Sequence, residues 1–194
     1  MIDQNLILVI FMISIAIANK ALYYYDNTQN KGKKIESLRS FSYIQKYLRL
    51  STLLIAIASI YSNSPYLYNI PSIKYVYLGT SLCAISTVIL FIARFNLSHN
   101  YSPCYDMKAP QDFIQHGVYR IVRHPIYLSN LLLLVGVFFI SGSMWIALNF
   151  SILAIYYSIS ALKEESYLSK RFPAYSDYKT STSMFIPGYK LIKK

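Results

Sequence analysis

The residues that could do chemistry fall in two short polar blocks of the C-terminal half. The first is His116-Gly117-Val118-Tyr119-Arg120-Ile121-Val122-Arg123-His124-Pro125-Ile126-Tyr127. Pro125 heads an apolar run, where proline suits the first turn of a helix. Arg123 and His124 then stand at a helix N-terminus, where free N–H groups and the helix dipole favour negative charge. Two cationic side chains there are either border residues of a membrane helix or part of an anion site, with the Arg fork as donor. The second block, Leu162-Lys163-Glu164-Glu165-Ser166-Tyr167-Leu168, follows another apolar run. A Glu pair is conspicuous in a chain with only eight acids. It is either a solvated helix end, with Glu165 close to Lys170 and Arg171, or one Glu faces the first block and holds a cation. If the fold joins the blocks, an anion pocket lies beside a cation pocket. A zwitterionic or mixed-charge ligand suits that pair.

Other chemistries lack their residues. The six glycines form neither GxGxxG nor GxxxxGK[ST], so no nucleotide-binding loop is expected. There is no GxSxG elbow. The three histidines, His99, His116 and His124, have no metal-ligand spacing, and no metal site is expected. Cys83 and Cys104 are isolated and form no disulfide framework.

The elements that must carry the blocks are apolar helices. Of 194 residues, 55% are hydrophobic and 14% charged, with a mean hydropathy of +0.34. A soluble domain carries about 25% charged residues. Apolar runs of about 20 residues read as membrane spans. Candidates are Asn5 to Tyr25, Tyr47 to Tyr61 and Ile73 to Phe95. The run from Ile126 to Leu162 is too long for one span. Gly142, between Ser141 and Ser143, divides it into a hairpin with spans near 126–140 and 143–162. Ala16-Ile17-Ala18 has the look of a signal-peptide cleavage site, but no basic residue precedes the apolar run, so cleavage is not expected.

The expected fold is therefore an all-α integral membrane protein of about five transmembrane helices. Residues 1–95 would form the N-terminal spans and 96–194 the chemical core. The net charge of +11 invites a nucleic-acid reading, but its distribution points to a bilayer. Seventeen of the nineteen basic residues lie in 26–49, 94–125 and 163–194. In a five-span chain these three stretches share one side, which the positive-inside rule makes cytoplasmic. The N-terminus would be outside and the C-terminus inside. Tyrosines near span ends, such as Tyr23 to Tyr25 and Tyr75 with Tyr77, match an aromatic belt.

The stretch HGVYRIVRHPIYLSN (116–130) resembles the G-x-Y-x-x-x-R-H-P-x-Y-x-G signature of the isoprenylcysteine carboxyl methyltransferase family, shared by related membrane phospholipid methyltransferases. Glu164-Glu165-Ser166-Tyr167-Leu168 resembles that family's E-E-x-x-L. Phe172, Tyr175 and Tyr178, then Phe185-Ile186-Pro187, resemble its closing element, and Leu97 to Ser102 its L-G-x-N-[FW]-S. The resemblance implies S-adenosylmethionine as cofactor, bound at the cytoplasmic face. It implies a cofactor site of Phe113, Ile114, Tyr119, His124, Pro125, Ile126, Tyr127 and Glu164; from the charge pattern of the two blocks, Arg123 and Glu164 are expected in the catalytic role. The implied partners are the bilayer and a lipophilic or lipidated acceptor, most simply a carboxylate. Ser129 and Ser98 replace family glycines, and Ser160 stands where the eukaryotic carboxyl methyltransferases carry an Arg. A phospholipid amine methyltransferase, a non-catalytic membrane protein such as an assembly factor, and a sterol-reductase-like protein are the other readings. The charge distribution makes a topology prediction. Reporter fusions at residues 1 and 194 should report opposite sides of the membrane; the same side for both would rule out five spans.

Overall fold

The computed structural model describes residues 72–97 and 113–188, together with Leu50 and Leu54. Among them there is no strand, only helices and one isolated β-bridge. The chain builds α1 (Ile73–Leu97), a 3-10 turn (Gly117–Arg120), α2 (Pro125–Ser141), α3 (Met144–Arg171) and α4 (Tyr175–Ser181). The spans expected at Asn5 to Tyr25 and Tyr47 to Tyr61, and the motif at 98–102, lie outside the described residues, Leu50 and Leu54 apart. Two described helices, α1 and α3, are long and apolar enough to cross a membrane, and α2 is a shorter apolar helix of 17 residues.

Each helix boundary has a local cause. Pro125 occupies the first turn of α2, where its missing N–H costs nothing. Gly142 ends α2 with φ +62°, and its N–H donates to the Phe138 carbonyl at 2.7 Å. That left-handed cap favours glycine. Ser143 N–H then donates to Ser141 Oγ at 3.2 Å, and α3 begins at Met144. The hairpin falls where the Ser-Gly-Ser turn places it. Its second helix differs from expectation. It does not stop near Leu162 but continues to Arg171, so both glutamates lie within the helix rather than beyond it.

Small residues let α1 and α2 pack closely and antiparallel. Gly79 faces Gly136 and Ile140, Cys83 Sγ lies 3.7 Å from the Leu133 carbonyl, and Ser86 Oγ donates to the Ser129 carbonyl at 2.6 Å. Such contacts replace the hydrophobic drive that lipid cannot supply. Ser129, a departure from the family glycine, is fully buried in this seam. α2 and α3 meet over Tyr127, Leu134, Leu153, Tyr156, Tyr157 and Ala161 near one end, and Val137, Ile140 and Ile146 pack with Cys83 near the other. The outer faces are apolar and open: Val88, Met144 and Ile155 are each more than half exposed. Such faces suit hydrocarbon rather than water.

The glycine seam is testable. A Cβ on Gly136 would stand 2.4 Å from Cys83 Sγ and 2.7 Å from the Gly79 carbonyl oxygen. Gly136→Ala should destabilise the protein by about 1–3 kcal/mol through overpacking, read as a lower melting temperature in detergent. An unchanged melting temperature would mean that the helices are not held this closely.

Candidate functional site

The site forms where α1 ends, α2 begins and α3 runs past the apolar core. The loop entering α2 is shaped at Gly117, whose φ is +60° and whose absent Cβ leaves room for the Asn96 side chain. After the 3-10 turn, Val122 forms a parallel bridge with Ser183. Arg123 N–H donates to the Ser183 carbonyl at 2.8 Å and His124 N–H to the Met184 carbonyl at 3.2 Å. The segment after α4 is thus laid along the loop before α2. Tyr178 adds a tie, its hydroxyl donating to the Tyr119 carbonyl at 2.6 Å. Burial raises the Tyr178 phenol above its ordinary pKa, so it keeps the proton it donates.

At the centre lies Glu165, fully buried. Its Oε1 accepts from Arg123 Nε at 2.8 Å and lies 3.2 Å from His124 Nε2. Its Oε2 is 3.1 Å from Lys179 Nζ. Arg123 also donates through Nη1 to the Lys179 carbonyl at 2.8 Å and to the Thr182 carbonyl. A buried carboxylate is tolerated only with such partners.

Glu164 faces a different environment. Its side chain is 40% exposed, and its Oε2 accepts from the Tyr127 hydroxyl at 3.2 Å and lies 3.7 Å from His124 Nδ1. Tyr127 stacks on Tyr157 with centroids 4.9 Å apart, and on His124 at 5.4 Å. Phe185 closes on the His124 ring at 6.0 Å. A half-open carboxylate among aromatic faces can hold a cation by charge and by ring attraction.

The expected site residues fall into distinct places. His124, Tyr127 and Glu164 converge on one another. Tyr119 and Pro125 are buried in the entry to α2, and Ile126 is half-buried, its carbonyl accepting from Ser129 Oγ and Asn130 Nδ2. Phe113 packs into a ring cluster with Phe172, Tyr175 and Tyr178 at 5.4–5.9 Å, and Ile114 beside it in the chain is half-buried. Arg123 was expected to reach a carboxylate of cofactor or acceptor. The carboxylate it reaches is Glu165, and its side chain is 4% exposed. The alternative of a solvated helix end, with Glu165 close to Lys170 and Arg171, is corrected too: Glu165 faces inward to Arg123, His124 and Lys179. Lys179, Tyr178 and Thr182 were not singled out as partners of the first block. Their signal was faint: the only cue was the aromatic spacing of the closing element.

The hairpin thus ends in a buried ion cluster around Glu165 and a half-exposed Glu164 beside the Tyr127 and His124 rings. The phospholipid methyltransferase family matches residues 75–175, half of the chain. The chain belongs to that family. It is 29% identical over 83 residues to the nickel-cobalt-cadmium resistance protein NccN of Alcaligenes xylosoxydans xylosoxydans, a match covering 42% of this chain and 39% of that relative. The chain thus aligns with well under half of that protein's length. In fold it is similar to the eukaryotic intramembrane Ras methyltransferase ICMT, the isoprenylcysteine carboxyl methyltransferase, with a TM-score of 0.68 at 16% identity, over 96% of this chain and 68% of that one.

The two glutamates should fail differently. Glu165→Gln leaves Arg123 without its counter-charge in a dry interior. Breaking a buried pair costs about 3–5 kcal/mol, so this variant should melt far below wild type in detergent. A wild-type melting curve would deny Glu165 its structural role.

Proposed function

We propose that the chain is an S-adenosylmethionine-dependent methyltransferase acting on a lipophilic acceptor at the cytoplasmic border of the membrane. One observation carries this: a half-exposed Glu164 beside the Tyr127 and His124 rings, backed by a fully buried Glu165 cluster. Family membership supports the reaction class.

The residues present fit the cofactor. Glu164 offers a half-exposed carboxylate, which suits an ammonium or sulfonium. Tyr127 holds that carboxylate through its hydroxyl. The stacked His124, Tyr127 and Tyr157 rings are buried and keep water from one side of that carboxylate. When bound, S-adenosylmethionine would supply an electrophilic methyl group for in-line displacement, which requires no metal. Alignment of two reactants can supply several kcal/mol of the barrier. The exposed apolar faces leave the acceptor a route from the lipid, so its chain never has to cross water.

The engagement of Arg123 bears on the acceptor class. A carboxylate acceptor would want a free Arg fork. Arg123 is spent on Glu165 and two backbone carbonyls, and the position of the carboxyl methyltransferases' Arg is here the fully buried Ser160. With Arg123 so engaged, a second reading, an amine headgroup, stands beside the carboxylate expected from the motifs. An amine would have to give up a proton before attack, and Glu164 and His124 are the acceptors nearest at hand.

Glu164→Gln keeps shape and removes charge. A hydrogen bond to a charged group is worth about 1.5–3 kcal/mol, so affinity for S-adenosylmethionine should fall about tenfold or more in calorimetry, with the melting temperature little changed. Wild-type affinity would remove Glu164 from the site. No binding by the wild-type chain would leave the non-catalytic reading. Labelled methyl transfer into membrane lipid extracts, followed by separation of esters from methylated amines, decides the acceptor class.

A further inference from the structure

Lys179 is the one cation of the described cluster that reaches water. Its side chain is 45% exposed, against 4% for Arg123 and 6% for His124. It stands on α4, outside the apolar helices, yet it touches both halves of the central pair. Its ammonium lies 3.1 Å from Glu165 Oε2, and its backbone carbonyl accepts from Arg123 Nη1 at 2.8 Å. The other carboxylate oxygen, Oε1, is already shared by Arg123 Nε and His124 Nε2. Among the described residues no hydrogen-bond donor is aligned on Oε2, so the Lys179 charge is what holds that oxygen.

The terminal torsion of a glutamate is broad and roughly two-fold. A cation fixed at Oε2 narrows it and keeps Oε1 between Arg123 and His124. The His124 ring is then held by Glu165 at Nε2 and by Tyr127 and Phe185 on its faces, which points Nδ1 at Glu164. We propose that Lys179 is a positioning residue for the cofactor site, acting through Glu165 and His124 on the carboxylate of Glu164. The docked α4 is thereby a working part of the site rather than a tail beyond it. This rests on the methyltransferase reading above.

The test compares Lys179→Met with Lys179→Arg in the full chain, purified in detergent. Both keep the backbone carbonyl that Arg123 uses, so the side chain alone is removed or replaced. The readouts are equilibrium dialysis with labelled S-adenosylmethionine and the KM against kcat split for methyl transfer. Lys179→Met should weaken cofactor binding by about five- to twentyfold, as expected of groups sharing one network, raising KM while leaving kcat within about twofold. Lys179→Arg should recover binding to within about twofold of wild type. A purely structural role would lower the melting temperature without moving the affinity of the folded fraction, and would overturn the proposal. Equal losses in both variants would also overturn it, because charge would then not be the cause. If Lys179→Met does not accumulate, Lys179→Gln is read in the same way. Wild-type protein that binds no cofactor defeats the functional reading itself, whereas binding unchanged by Lys179→Met defeats only this inference.

Discussion

One buried carboxylate organises the site end of this protein. Glu165 has no contact with water, and two segments distant in sequence send three groups to it: Arg123 and His124 from the loop before α2, and Lys179 from α4. Burying such a charge alone would be prohibitive. Its partners are therefore obligatory, and each brings its segment along. The position of the loop, the start of α2 and the docking of α4 all follow from satisfying one side chain. Glu164, one residue earlier, is left half-open by the same helix geometry, about 100° around the axis. Structure and candidate chemistry are thus divided between two adjacent glutamates.

Much of this was legible in the residues. The helices α1, α2 and α3 announce themselves by apolar length, Pro125 marks a start, and Gly142 marks the hairpin turn because only glycine takes a left-handed cap cheaply. The convergence of the two polar blocks followed from their placement at both ends of that hairpin. What the sequence could not decide was which glutamate turns inward. The i, i+4 series Leu153, Tyr157, Ala161, Glu165 leads to the buried one, but Ser160 and Glu164 form a competing series on the neighbouring face. The apolar signal also fades after Leu162, which hides the continuation of α3 to Arg171. The polar final turns of that helix are held by tertiary contacts rather than by composition.

Arg123 shows why residue type alone does not assign a role. At a helix N-terminus on the basic side, a guanidinium could serve a ligand, a membrane border or the protein itself. The structure gives it three internal acceptors, two of them backbone carbonyls. The planar fork suits this multiple contact. The same economy appears in Tyr178, which supplies a ring to the Phe113 cluster and a hydroxyl to the Tyr119 carbonyl. Few polar groups at this end serve only one neighbour.

The pairing of Val122 with Ser183 has a consequence for biosynthesis. The hairpin of α2 and α3 is synthesised before residues 175–184. During that interval the loop ahead of α2 has no segment to lie against, and Glu165 lacks its ammonium. The ion pairs around Glu165 are therefore completed only once the stretch that carries Lys179 has been made and laid back along the loop.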